Sequence, residues 1–136
     1  MRVYMDGVFD MLHVGHARAL VHCTTLAPEV ELIVGIIGDA AAAGYKRVPL
    51  IPQDDRAEMV GHLRCVHETI VAPPLVVTAA FMAEHRIDLV VHGFADAADA
   101  ARQEHMFRVP QELGKFRTIP YTAHVSTTQL RAQLQR

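Results

Sequence analysis

The sequence predicts an α/β fold: a five-stranded parallel sheet in the order 3-2-1-4-5 with helices on both faces. Five short apolar runs show little polar alternation, as strands covered on both faces do. Helical patterns separate each run from the next, the mark of βαβ units. Polar residues, histidine above all, collect just after the runs, and in an open parallel sheet that edge is where ligands bind. The strand order follows because the clusters after strands 1 and 4 must meet at a switch point. With 136 residues and 51% hydrophobic composition, the chain suits one domain, residues 1–136, with a core of its own.

Taken in order, the strands are Arg2–Met5, Glu31–Ile37, Glu68–Val71, Asp88–His92 and Phe116–Tyr121. Helices begin near His16, Pro52, Thr78, Ala98 and Ser126. Asp54 and Asp55 place carboxylates in the first turn after Pro52, where the helix dipole favours them. Ser126-Thr127-Thr128 is an N-cap cluster ahead of Gln129-Leu130-Arg131. Ala95–Ala101 is rich in Ala and Asp, a composition compatible with a mobile loop as well as with a helix near Ala98.

Composition narrows the function. A net charge of −2 gives no electrostatic footprint for nucleic acid or an anionic membrane. The apolar stretch from Glu31 to Ala43 is interrupted by Gly35, Gly38 and Asp39, so it is too broken for a spanning helix. The N-terminus runs straight into a strand with no signal-peptide pattern. Cys23 and Cys65 form no C-x-x-C and read as two reduced, half-buried thiols of a cytoplasmic protein.

The sharpest motif is Gly7-Val8-Phe9-Asp10-Met11-Leu12-His13-Val14-Gly15-His16. Gly7 admits a close backbone approach by a ligand, and Gly15 opens the following helix. His13 and His16, three apart, face one pocket beside a helix N-terminus, a natural site for phosphate. Ring N–H groups there can stabilise charge developing on phosphorus. Taken alone, the two histidines could also be a metal pair or surface side chains. No G-x-G-x-x-G follows the strand, so a dinucleotide site is not indicated.

These residues resemble the nucleotidyltransferase superfamily with an H-x-G-H signature, and within it the cytidylyltransferase branch. Val3 through His16 is similar to the opening of choline-phosphate and ethanolamine-phosphate cytidylyltransferases. The likeness continues through Lys46, Arg56–Val60, Thr78–Asp88 and Val125–Thr128. It implies a Rossmann-like fold and CTP as a partner, with Mg²⁺ on its triphosphate and no metal site of the protein's own. A small phosphorylated acceptor would attack the α-phosphorus and release pyrophosphate. The acceptor would resemble ethanolamine phosphate, glycerol 3-phosphate or 2-hydroxyethylphosphonate.

The resemblance makes His13, His16 and Lys46 the catalytic residues. It places Gly7, Val8, Phe9, Asp10, Gly15, Arg56, His92, Gly93, His124, Ser126, Thr127 and Thr128 around the nucleotide. Arg56 by itself has a minority alternative, one half of a solvated salt bridge. The family's R-T-x-G before the serine falls on Tyr121-Thr122-Ala123-His124, so its basic residue and glycine are absent. His124 or Arg117 is expected to supply the missing charge. Arg64-Cys65-Val66-His67-Glu68 is similar to the family's dimer stretch, with His67 in place of an aspartate, and implies a homodimer. His22, His62, His85 and His105 carry no motif and read as ordinary surface or cap residues.

Around the acceptor, Asp39 matches an acidic residue that contacts the amine end, with Asp96 displaced and Phe94, Phe107 and Tyr121 as the available rings. Two other readings compete with cytidylyl transfer. One is an adenylyltransferase of the same fold, echoed by Ser126-Thr127-x-x-x-Arg131, and the other is a nucleotide-binding module without catalysis. With no Trp in the chain, a quaternary ammonium forfeits about 0.5–2 kcal/mol per lost ring contact. Two lost contacts lower affinity by roughly one to three orders of magnitude. Phosphocholine is therefore expected to be a poorer acceptor than amine- or hydroxyl-ended analogues. A kcat/KM for phosphocholine above all of them would refute this.

Overall fold

A computed structural model describes residues 1–120 and 127–135 of the chain. Five parallel strands, β1 (Arg2–Gly7), β2 (Glu31–Ile36), β3 (Glu68–Val71), β4 (Leu89–His92) and β5 (Phe116–Thr118), stand in the order β3-β2-β1-β4-β5. This is the predicted topology. β1 pairs with β2 from Arg2↔Glu31 to Gly7↔Ile36, and with β4 at Val3↔Leu89 and Tyr4↔Val90.

The twofold alternation of side chains along each strand divides the core in two. Val3, Met5, Leu32, Val34, Ile36, Leu89 and Val91 point to one face. There they pack on Leu20 and Cys23 of α1 (Val14–Cys23) and on Ala57 and Val60 of α3 (Gln53–Gly61). Tyr4, Ile33 and Val90 point to the other face. They meet Phe81 and Met82 of α4 (Ala79–Glu84), with Met106 and Phe107 around a 3-10 turn (Glu104–Met106). Both faces are covered, which is why the strands lack a polar side.

The helix signals near residues 16, 52 and 78 correspond to α1, α3 and α4, and Thr78 caps α4 by accepting the Phe81 N–H at 3.1 Å. Ala95–Ala101 is not simply a loop. Asp96 accepts the Asp99 N–H at 2.8 Å and starts α5 (Ala97–Gln103). Two short helices carry no apolar stripe and were not foreseen. α2 (Asp39–Tyr45) relies on the high helix propensity of four consecutive alanines. α6 (Arg108–Glu112) tolerates Pro110 because an N–H in the first turn would have no intrahelical acceptor, so no helix hydrogen bond is lost. The last strand is shorter than expected, although the Ile119 N–H still donates to the His92 carbonyl at 3.1 Å. α7 (Thr127–Leu134) begins within the predicted cap cluster, while Ser126, the first residue of that cluster, lies outside the described residues.

Cys65 is half-buried as expected, but the other thiol departs from expectation. Cys23 is fully buried rather than half-buried, with Sγ 3.7 Å from Met5 Sδ. Burial, then the neighbouring Cys65, pushes its pKa up to about 12. It is a small apolar side chain of the core.

Gly35 of β2 lies under the Tyr4 ring. A Cβ there would collide with the phenol and reach within 3.0 Å of Pro73 Cγ. Since Tyr4 is fully buried, the ring has nowhere to retreat. Gly35→Ala is expected to destabilise the fold by about 1–3 kcal/mol, read as a lower urea midpoint at unchanged slope. An unshifted midpoint would show that the ring can move.

Candidate functional site

A cavity of about 390 Å³ opens at the carboxyl edge between β1 and β4. Asp6 and Gly7 end one strand and His92 and Gly93 end the other. His13, His16, Lys46, Arg47 and Thr128 close the remaining sides. This is the switch point of the sheet, where strand order reverses about β1.

The β1–α1 loop reaches this position through backbone that few residues adopt. Phe9 and Met11 take left-handed φ values of 53° and 51°. Phe9 holds that conformation with its ring buried, edge-on to His16 at 5.3 Å. A Cβ on Gly7 would come within 2.9 Å of the Phe9 ring. The glycine therefore makes room for the aromatic side chain that packs on the histidine. Asp10, also buried, accepts the Leu50 and Ile51 N–H groups at 3.0 Å each. It lines the cavity, but those two oxygens tie the α2–α3 loop down.

His13 and His16 form a reciprocal cap. His13 Nδ1 accepts the Gly15 N–H at 3.0 Å, and His16 Nδ1 accepts the His13 N–H at 3.2 Å. The rings stack with centroids 3.8 Å apart and an interplanar angle of 21°. A neutral imidazole that accepts at Nδ1 carries its proton on Nε2. Each ring is thus an Nε2–H donor beside the α1 N-terminus, whose dipole adds a partial positive charge. Burial lowers the His13 pKa. Burial, then the positive charges of His13 and Lys46, takes His16 to about 3 against the opposing pull of Asp10.

Lys46 follows the last turn of α2, its Nζ 5.6 Å from the Tyr45 ring centroid. Its side chain is solvent-accessible because it reaches into open cavity, yet protein surrounds it on several sides. That desolvation lowers the ammonium pKa, helped by Arg47 and opposed by Asp99 and Asp6. Across the cavity, His92 packs on Phe94 and Phe107 with centroids 4.9 and 4.7 Å away. Its Nδ1 lies 3.5 Å from the buried Asp6 carboxylate.

The cavity brings together Gly7, Val8, Phe9, Asp10, His13, Gly15, His16, Lys46, His92, Gly93 and Thr128. Arg56 is not among its walls. Nor is Arg56 half of a solvated salt bridge. Its guanidinium is buried and donates to Ile51 O at 2.8 Å, Val8 O at 2.7 Å, Ile37 O at 2.8 Å and Asp39 Oδ1 at 2.6 Å. Asp39, expected at the acceptor, is thereby held by Arg56, and its other oxygen accepts the Gln53 N–H at 3.3 Å. Asp96 is spent as the α5 cap. Phe107 is buried and Phe94 packs with it and Phe116, so those rings form a core cluster rather than an acceptor wall.

Tyr121, His124 and Ser126 lie outside the described residues, as does the Thr127 side chain. Arg117, on β5, does not line the cavity. A positive charge beside α7 comes from Arg47, whose Nη1 donates to Thr128 Oγ1 at 3.0 Å. Sequence reasoning passed over Arg47 and Asp6, though their places beside Lys46 and Gly7 were the available signal. It also passed over a second cavity of about 680 Å³, lined by Tyr45, Asp99, Arg102, Gln103 and His105 among others. Lys46 lines both cavities.

The fold and cleft define a class: an open parallel α/β domain with a cleft lined by histidines and a lysine at its switch point. The cytidylyltransferase-like family model matches residues 4–133, and the chain belongs to that family. It is 35% identical over 136 residues to choline-phosphate cytidylyltransferase A of Homo sapiens, covering 100% of this chain and 37% of that protein. It is 33% identical over 139 residues to ethanolamine-phosphate cytidylyltransferase of Arabidopsis thaliana, covering 96% of this chain and 31% of that one. The chain therefore spans well under half the length of these relatives. A solved lipopolysaccharide core biosynthesis protein from Thermoplasma volcanium GSS1 shares the fold, with a TM-score of 0.68 at 24% identity over 90% of this chain and 96% of that one.

The depressed His16 pKa carries a pH consequence. An unfolded histidine binds its proton near pH 6.5, whereas the folded one does so only near about 3. Between those values the unfolded chain holds more protons. The stabilisation is complete above pH 6.5 and is lost as pH falls toward 3. His16→Ala is expected to remove part of the acid-side fall in urea stability between pH 6.5 and 4. An identical slope in wild type and variant would show that His16 does not titrate as described.

Proposed function

We propose that the chain transfers CMP from CTP to a small phosphorylated alcohol or phosphonate and releases pyrophosphate. The observation that carries this reading is the pair of Nε2–H donors, His13 and His16, sharing one cavity with Lys46 and a helix N-terminus. An acceptor phosphate oxygen forms the new bond to the α-phosphorus as the bond to the β-phosphate oxygen breaks. The attacking oxygen is already anionic, so no strong base is needed. Positioning and charge stabilisation suffice.

In this reading His13 and His16 donate to the triphosphate, and Lys46 offsets charge on the α-phosphate and on the incoming phosphate. His92, Gly93 and the described face of Thr128 complete the nucleotide side. Magnesium enters on the triphosphate as part of the substrate. The choline-phosphate and ethanolamine-phosphate cytidylyltransferases among the relatives support cytidylyl transfer to a small phosphorylated alcohol. A homodimer is part of the proposal, built on the Arg64–Glu68 stretch, and sedimentation equilibrium tests it.

The decisive measurement is pyrophosphate release with CTP or ATP, magnesium and a panel of phosphorylated and phosphonate acceptors. CTP with at least one acceptor is expected to turn over. Turnover with ATP alone would give the adenylyltransferase reading, and nucleotide binding without release would give the binding module. Removing one donor of this kind costs about 10²–10³ in rate, so His16→Ala should lower kcat by that factor. A variant keeping half the wild-type rate would take His16 out of the mechanism.

A further inference from the structure

The proposed reaction needs a place for the acceptor, and the second cavity meets the first at Lys46. We infer that the acceptor lies in this second chamber, its phosphate at Lys46, and that its other end is an uncharged hydroxylated tail. This inference rests on the cytidylyl-transfer reading and names the substrate class for it.

Three carboxylates stand where an amine end could be read, and each is committed. Asp39 holds the buried guanidinium of Arg56 and does not line the chamber. Asp96 caps α5 through the Asp99 N–H. Asp99 does line the chamber, but it accepts the Ala95 N–H at 3.0 Å and the Gln103 amide at 2.8 Å, with Arg102 Nη2 at 3.3 Å. Burial alone would raise its pKa. These hydrogen bonds and the charges of Lys46 and Arg102 outweigh burial and lower it, so it remains ionised and matched.

An ammonium in this chamber would face two cations, Lys46 and Arg102, against one carboxylate already paired. Like charges within a few ångströms cost more than a shared anion returns. Phe94 and Phe107 are packed on one another around His92, which leaves Tyr45 as the single ring on the chamber wall among the described residues, too few for a cage around a quaternary ammonium. What remains for a tail is hydrogen bonding without charge: the Tyr45 phenol, kept protonated by burial, and the Gln103 amide oxygen. Those groups suit hydroxyls, which donate and accept.

The test has two arms. In the first, kcat/KM is measured with CTP for glycerol 3-phosphate, 2-hydroxyethylphosphonate, phosphoethanolamine and phosphocholine. A hydroxyl-ended acceptor should exceed phosphoethanolamine by about tenfold or more, because a charged end left without a partner is strongly rejected. Phosphoethanolamine equal to or above both hydroxyl-ended acceptors overturns the tail assignment while cytidylyl transfer stands. No pyrophosphate release with any of the four fails the parent reading, and the tail assignment falls with it.

The second arm tests the chamber. A Cβ on Gly44 meets no atom within 4 Å, so Gly44→Leu should enter the cavity without strain. It is expected to raise KM for the acceptor about tenfold with KM for CTP within about twofold, and Gly44→Ala serves as the folding control. An unchanged acceptor KM, or a rise confined to CTP, places the acceptor elsewhere.

Discussion

One buried guanidinium holds the carboxyl edge together. Arg56 projects from α3 into the junction of three connections and donates to carbonyls of Val8, Ile37 and Ile51. Those carbonyls belong to the loop after β1, the exit of β2 and the loop before α3. Buried carbonyls without donors cost about 1–3 kcal/mol each, so a single charged side chain secures the convergence of all three. Asp39 completes the pairing at the start of α2. Arginine suits this place because its planar fork stays charged and offers five donors in fixed directions.

The cleft depends on that convergence. Asp10 fastens Leu50 and Ile51 from the same loop that Arg56 holds, and this loop descends from Lys46 and Arg47. The lysine that lines both cavities is therefore anchored from two sides. On the opposite wall the reciprocal His13–His16 cap spends both Nδ1 atoms on backbone donors and leaves both Nε2 protons for a ligand. A neutral donor pair suits a site receiving several negative charges. It does not have to shed protons as pH rises through the physiological range, and burial keeps it neutral.

The chain spans well under half of its curated relatives' length, yet it carries both the histidine-lined cleft and the second chamber. The cleft is built on strand ends and the first turn of α1, whose geometry the sheet dictates. The chamber is shared between α2 with Lys46 after it and α5 with the turn after it, and the α5 segment packs on the sheet through few side chains. A segment of that kind can change its residues without disturbing strand register.

The sequence by itself determined the strand order, the β1–α1 motif and the gathering of histidines at one edge. These follow from local patterns, the period-two burial of strands and the turn chemistry of Gly7 through His16, which do not depend on distant partners. It did not determine what Arg56, Asp39, Asp96, Phe94 and Phe107 do. Each is a polar or aromatic residue whose role is set by what lies across the fold. Arg56 finds Val8 48 positions away and Ile37 19 positions away. Phe107 finds His92 only because β4 and the turn after α5 pack on the same sheet face. Asp99 and Tyr45 meet around one cavity for the same reason. Hydrogen bonding and burial are settled between segments, so the tertiary structure alone decided which carboxylates were already spent and which side chains faced the open chamber.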